Sequence, residues 1–205
     1  MEIELKYQIN DEFTRDRLMQ DSYISEIASG EEETLDMHAV YFDTESKDLR
    51  QAKITFRVRR ENDKCLATVK WDGKSNGGLH IRNELNLNVE PKFIDDPSAD
   101  AFNDSPIGEK LANIINGKKL EKVMEMDFVR KQILIDTGKS VSELSVDYGT
   151  IKTSKGEAPI SEMEIELYSG DQDDFVALGE KLKTKYNLEA SDISKFKRGL
   201  QILEK

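Results

Sequence analysis

The sequence predicts an α+β protein built on a large antiparallel sheet or barrel, and three observations carry that prediction. Short segments that alternate charged and apolar residues follow one another in hairpin succession. Apolar residues at helical spacing appear in the middle of the chain and again at its C-terminus. No linker, repeat or low-complexity tract divides the 205 residues, of which 37% are hydrophobic, so one domain over residues 1–205 with one good core is expected.

The first alternating segment is MEIELKY, which sets Glu2, Glu4 and Lys6 on one face of a strand and Ile3, Leu5 and Tyr7 on the other. DEFTRDRLMQ follows as a short helix containing Phe13 and Leu18, and ETLDMHAVYFD as a second strand. KITFRVRR alternates Lys53, Thr55, Arg57 and Arg59 against Ile54, Phe56 and Val58, with Glu61 to Lys64 as the turn. CLATVKW groups Leu66, Thr68 and Lys70 opposite Cys65, Ala67, Val69 and Trp71, and DGKSNGG reads as the loop that ends it. HIRNELNLNVE sets Arg82, Glu84, Asn86 and Asn88 against Leu85, Leu87 and Val89, completing a meander.

DSPIGEKLANIINGKK predicts a helix with Ser105 as N-cap, Pro106 in the first helical position and Gly117 as the stop. Strands resume with MEMDFVRKQILID, whose Arg130 shares a side with Phe128 and Leu134, so a bulge or an edge position is expected there. SELSVDY and ISEMEIELY follow, the latter with Glu162, Glu164 and Glu166 opposing Met163, Ile165 and Leu167. DDFVALGEKLKTKY and DISKFKRGLQILEK close the chain as amphipathic helices.

A formal net charge of -11 argues against non-specific nucleic-acid binding, since a phosphate backbone selects for surplus Lys and Arg. Cys65 is the only cysteine and His38 and His80 are the only histidines, which excludes an intramolecular disulfide and an ordinary zinc site. No apolar run approaches the ~20 residues of a membrane span, and the N-terminus lacks a basic region followed by an apolar one. A cytoplasmic protein with neither nucleic acid nor membrane as partner is expected. TGKS at 137–140 and DGKS at 72–75 lack the upstream glycine and following helix of a phosphate-binding loop and read as turns. His38 and His80 read as satisfied or solvent-facing imidazoles, and Met124 and Met126 as core.

The charged faces are segregated by sign: the first strand and EMEIE are rich in carboxylates, whereas RVR, TVK and HIR supply cations. A charged strand face is by default a wet face. Two features favour a site instead. Arginine forks suit phosphate oxygens, and clustered carboxylates repel one another unless a hard cation such as Mg²⁺ or Mn²⁺ sits among them. If the sheet closes with these faces inward, equal numbers of cations and carboxylates meet across a lumen, and two divalent ions would roughly offset a bound triphosphate.

The ordered set EIELK, RVR, TVK, EIE and a lysine in the terminal helix resembles the CYTH family of triphosphate tunnel metalloenzymes. GGLHIRNEL, EMEIELYSGD and SKFKRG look most like its bacterial inorganic triphosphatases, without the helical CHAD domain that often follows the barrel in those proteins and would begin where this chain stops. The resemblance implies an eight-stranded antiparallel β-barrel with flanking helices, forming a tunnel. It implies metal ligands at Glu2, Glu4, Asp147, Glu164 and Glu166, and phosphate contacts at Lys6, Arg57, Arg59, Lys70, Arg82, Arg130 and Lys195. Glu2, Glu4, Lys6, Arg59, Lys70 and Glu166 would form the catalytic set. Glu84 matches an acidic position that serves as ligand or as anchor, as does Asp147, and Glu162 either joins the site or, as we favour, sits at the tunnel mouth. The implied activity is hydrolysis of tripolyphosphate to pyrophosphate and phosphate with Mg²⁺ or Mn²⁺, two ions acting during turnover, in a monomer or homodimer. Class IV adenylate cyclase, thiamine triphosphatase and a non-catalytic polyphosphate- or nucleotide-binding module are the alternatives on the same fold.

Overall fold

Alternating segments bury their apolar sides only when something covers them, and here helices do so from outside. A computed structural model describes residues 1–205. In chain order the elements are β1 (Glu2–Gln8), α1 (Glu12–Leu18), α2 (Ser22–Ile27), β2 (Glu33–Thr44), α3 (Asp48–Gln51), β3 (Thr55–Glu61), β4 (Lys64–Asn76) and β5 (Leu79–Asn88). Two 3₁₀ turns lead to α4 (Gly108–Ile115), β6 (Leu120–Asp136), β7 (Ser140–Thr153), β8 (Gly156–Gly170), α5 (Gln172–Tyr186), β9 (Glu189–Ala190) and α6 (Lys195–Leu203). The strands run β5-β4-β3-β2-β6-β7-β8-β1 and β1 pairs back onto β5, so eight antiparallel strands close into a barrel. β9 lies outside, paired with the end of β1. No helix is long and apolar enough to cross a membrane.

Two apolar clusters lie on the outer surface. Leu5, Tyr7, Leu144 and Ile165 pack under Phe175 and Leu182 of α5 and under Leu18 and Ile24 of α1 and α2. Val40, Phe56, Val58 and Val69 pack against Leu111 and Ile115 of α4. Each such side chain contributes about 1.5–3 kcal/mol by burial. With the apolar faces committed outward, pleat geometry leaves the ionic faces no direction but inward. A third cluster, Met37, Tyr41, Met124, Met126 and Phe128 with Ile151, meets α6, which caps one end of the barrel by stacking Phe196 on Tyr41 at 5.1 Å between ring centroids.

Several local expectations are corrected. DGKSN is not a loop: it extends β4 through a register irregularity between Trp71 and Lys74, and the turn is confined to Gly77 and Gly78, whose φ angles of 59° and 86° suit glycine. The β3–β4 turn likewise shrinks to Asn62 and Asp63. α4 begins two residues after Pro106, with Ile107 at the cap position, because the Ser105 amide and carbonyl are spent on Phe102 and Gly108 in preceding turns. It stops at Asn116, already left-handed at φ 48°, just before Gly117. The bulge anticipated in MEMDFVRKQILID lies just ahead of it: Tyr41 faces Met124 and Phe42 faces Lys122, leaving Val123 as the extra residue. β6 is not an edge, since β2 and β7 flank it. Phe128 shares the inner face with Arg130 because its ring lies 5.5 Å beneath the Lys195 ammonium. The short α2 and α3 were not foreseen; Asp21 accepts the Tyr23 amide at 2.8 Å to start one, and Asp43 accepts the Leu49 and Arg50 amides at 2.9 and 3.1 Å to fix the other.

Gly149 of β7 lies against Phe128 of β6 so closely that a Cβ there would collide with the Asp127 carbonyl oxygen and the Phe128 Cα. Gly149→Ala is therefore expected to destabilise the chain by about 1–3 kcal/mol or more through overpacking against backbone, read as a lowered Tm. An unchanged Tm would refute this close approach.

Candidate functional site

β1 is the spine of the site, because it lies between β8 and β5 and so presents Glu2, Glu4 and Lys6 to both neighbours. Its inner face looks into a cavity of about 440 Å³. Every residue predicted for the site lines that cavity except Asp147 and Glu162. The structure thus brings together residues from β1, β3, β4, β5, β6, β8 and α6 that are up to the length of the chain apart in sequence.

One wall carries carboxylates among which cations are unevenly shared. Glu4 and Glu166 are register partners, and Glu2 sits opposite Arg82. Glu2 is paired with Arg82 and, at 3.1 Å, with Lys70. Glu4 Oε2 accepts from Arg82 at 3.1 Å; Lys6 Nζ lies 3.1 Å from Oε1 but off the hydrogen-bonding direction, which leaves that buried oxygen without a hydrogen bond. Burial alone would raise the Glu4 carboxyl, but Lys6, Arg82 and Lys70 hold it well below the usual range. Glu166 has no such help. Burial first, then Glu2 and Glu84, push its carboxyl up to about 7, and only Lys70 opposes them appreciably. Glu84 is different again: it pairs with Lys70, and Lys70 and Arg57 outweigh burial to hold it below the usual range.

The facing wall, β3, carries cations without enough anions. Arg57 is 8% exposed, its one hydrogen bond is to Thr68 Oγ1 at 3.4 Å, and its Nε has no partner. Arg59 pairs with Glu61, yet its Nε is also unpartnered, and burial together with Arg57 pulls it down to about 10. Two guanidinium groups with unfilled donors are a socket for anionic oxygens.

Below these walls lies a floor of ion pairs. Arg130 forks onto Asp147 with both contacts at 2.8 Å and reaches Glu164 at 2.6 Å. Lys195, at the first residue of α6, meets Asp147 at 2.7 Å and Glu164 at 2.8 Å, and also pairs with Glu162. Lys6 pairs with Glu164 and with Glu162, the latter at 3.1 Å. Arg198 donates to Glu162 Oε2 at 2.5 Å. Glu162 is fully buried here and does not sit at the mouth: cations close over it from β1 and α6, and Lys195, Lys6 and Arg198 overcome burial to bring its carboxyl down to about 2.

Asp147, Glu162 and Glu164 lie within 4.8 Å of one another, a spacing and chemistry that could hold a metal. Each of their six oxygens, however, already faces a lysine or arginine. A metal entering the floor would have to displace a cation. The carboxylate that lacks positive charge is Glu166; with the Glu4 oxygen that has no hydrogen bond and with neighbouring Glu2, it offers hard oxygens that fit a divalent ion.

Both histidines are satisfied: His38 Nδ1 lies 2.7 Å from Asp127, and His80 Nε2 donates to the Ser191 carbonyl at 2.7 Å. The sequence reading missed Arg198, Tyr41, Glu61 and, near the exposed Tyr168, Glu143. Arg198 was detectable as the i+3 partner of Lys195 on one helix face, and Glu61 as the next member of the Thr55, Arg57, Arg59 alternation. Tyr41 had no signal, because its inward face is set by which strand it pairs with.

Comparison with known proteins agrees with this architecture. The chain is 29% identical over 203 residues to the inorganic triphosphatase of Haemophilus influenzae, covering 97% of this chain and 54% of that protein. It therefore spans about half the length of that curated relative. A Hippeastrum protein named for adenylyl cyclase and described as having a dominant triphosphatase activity superposes with a TM-score of 0.69 at 21% identity, over 96% of this chain and 93% of that one. A Bacillus halodurans protein described as a candidate adenylate cyclase superposes with a TM-score of 0.62 at 20% identity, over 97% and 96%. The sequence profile of the CYTH domain matches residues 1–200, and the chain belongs to the CYTH family.

Proposed function

We propose that this chain hydrolyses inorganic tripolyphosphate to pyrophosphate and phosphate within the barrel, with Mg²⁺ or Mn²⁺ held by Glu2, Glu4 and Glu166. The observation that carries the reading is the facing of unfilled groups across one cavity: Glu166 of β8, short of cations and beside a Glu4 oxygen of β1 that has no hydrogen bond, and arginines short of anions on β3. A triphosphate with divalent cations satisfies both, and the name of the Haemophilus influenzae relative supports the inorganic substrate. When bound, the metal supplies Lewis-acid polarisation of phosphoryl oxygens and a water of lowered pKa.

The chain's own groups do the rest. Arg57 and Arg59 take the phosphate oxygens with their open donors, and Lys70 and Arg82 pair with Glu2 beside them. As water adds in line to the terminal phosphorus and the bridging P–O bond breaks, negative charge grows on the departing pyrophosphate, where the arginines stabilise it. The floor keeps Lys6, Arg130 and Lys195 fixed before substrate arrives, so little reorganisation is needed during reaction. Neither Cys65, buried in the outer cluster, nor His80, committed to Ser191, is placed as a nucleophile, so direct attack by water is the expected route.

A non-catalytic anion receptor would gain nothing from Glu166, an acid that must be neutralised before an anion can bind. A panel of tripolyphosphate, ATP and thiamine triphosphate, scored for phosphate and for cyclic AMP, tests the reading. Tripolyphosphate is expected to be cleaved fastest, and cyclic AMP as the dominant product would reject the hydrolase.

A further inference from the structure

We propose that Arg198 is a positioning residue for the tunnel: from outside the cavity it anchors Glu162, and Glu162 holds Lys6 and Lys195 in place on the tunnel floor. The inference rests on the triphosphate reading above.

Glu162 has 0% exposure, and neither it nor Arg198 lines the cavity, so neither can touch a ligand there. The two carboxylate oxygens are divided between different tasks. Oε1 takes the Lys6 ammonium at 3.1 Å and also that of Lys195; Oε2 takes Arg198 at 2.5 Å. The only other group reaching Oε2 is the neutral Gln8 amide at 3.5 Å. Arg198 is itself held by its second donor arm, which reaches the Pro159 carbonyl at 3.3 Å and ties α6 to β8.

Removing Arg198 strips Oε2 of its charged partner, and a buried carboxylate does not stay half-paired. Rotation of Glu162 would draw Lys6 or Lys195 around it and away from Glu164. Charge acts in the same direction. Four cations, Lys6, Arg130, Lys195 and Arg198, face three floor carboxylates, Asp147, Glu162 and Glu164. Without Arg198 the floor becomes neutral, and the surplus that attracts a polyanion through a low-dielectric wall is gone. The lost charge acts on bound substrate and transition state alike, so it belongs in KM, and the displaced floor cations add a smaller loss in kcat.

The test is steady-state kinetics on tripolyphosphate with saturating Mg²⁺. Arg198→Gln is expected to raise KM about tenfold with kcat within about threefold of wild type. Arg198→Lys, which keeps the charge, is expected to stay within about twofold of the wild-type KM. A purely structural role would lower Tm and the active fraction without moving KM, and that result overturns the inference. If the Gln variant does not fold, the Lys variant decides, since a tenfold rise in its KM would overturn the role of charge. Wild-type turnover with an unchanged KM in the Gln variant removes the Arg198 role alone. A wild-type chain that neither binds nor cleaves tripolyphosphate removes the proposed function and this inference together.

Discussion

Glu166→Gln is expected to abolish turnover and, in the absence of metal, to make the chain more stable. The two effects have one cause. Desolvation and the neighbouring Glu2 and Glu84 push the Glu166 carboxyl up to about 7, so above that pH the folded chain must carry a half-buried negative charge with too little positive charge around it. A folded-state value above the unfolded one favours folding below the ordinary carboxylate range, and that contribution is lost as pH rises toward 7. At pH 8 the ionised side chain therefore costs the metal-free protein about 1–3 kcal/mol, which the neutral amide avoids. The variant's metal-free Tm should exceed wild type by several degrees at pH 8 and by progressively less as pH falls, the two converging at about pH 4. Asp147, Glu84 and Glu162 have depressed carboxyls and destabilise on acidification, but they are shared by both proteins and cancel in the difference. Saturating Mg²⁺ should reverse the order at pH 8, because only wild type gains the binding contribution. Turnover should fall by about a hundredfold or more, as loss of a direct ligand exceeds the cost of losing its supports. Equal melting of the two proteins at every pH, with and without metal, would remove Glu166 from the metal set.

The second large effect is expected at Arg57. This guanidinium is buried with no ion pair and an unpartnered Nε, and a 3.4 Å bond to Thr68 and the Tyr41 ring 6.0 Å away leave its charge uncompensated. Arg57→Ala is expected to lower kcat/KM for tripolyphosphate about 10²–10³-fold, or about 3–4 kcal/mol of transition-state stabilisation, in a chain that melts normally. Arg59→Ala should cost less, because Glu61 already offsets part of the Arg59 charge. Kinetics and thermal melts on the two variants give the order, and an Arg59 effect exceeding that of Arg57 would reverse this account of the cationic wall.

Strand identity was legible because a period of two is written plainly in EIELK, FRVRR and EMEIE. The direction of the charged faces was not, because it depends on what covers the apolar side. Leu5 and Ile165 face outward only because α5, which follows β8 but lies far along the chain from β1, is there to receive them both. DGKSN was misread because its Asp, Gly, Lys and Ser are turn formers, and only pairing with β5 holds them extended. Glu162, Glu164 and Glu166 look alike in sequence, yet one is sealed in the floor, one is saturated by cations and one is starved of them. Those differences come from Lys6, Arg130, Lys195 and Arg198, which lie on other elements. Arg198 shows the same limit: helical spacing puts it beside Lys195, but only the packing of α6 on the barrel gives it Glu162.

The most direct measurement of whether the ionic faces form a working metal–triphosphate tunnel is phosphorus NMR of tripolyphosphate with the protein. The experiment is run with Mg²⁺ or Mn²⁺ at a level that does not obscure the resonances, followed by excess chelator. One pyrophosphate and one phosphate should appear for each tripolyphosphate consumed, and consumption should stop when the ion is removed. Tripolyphosphate that stays intact with metal present, or cleavage that continues unchanged after chelation, would contradict the account.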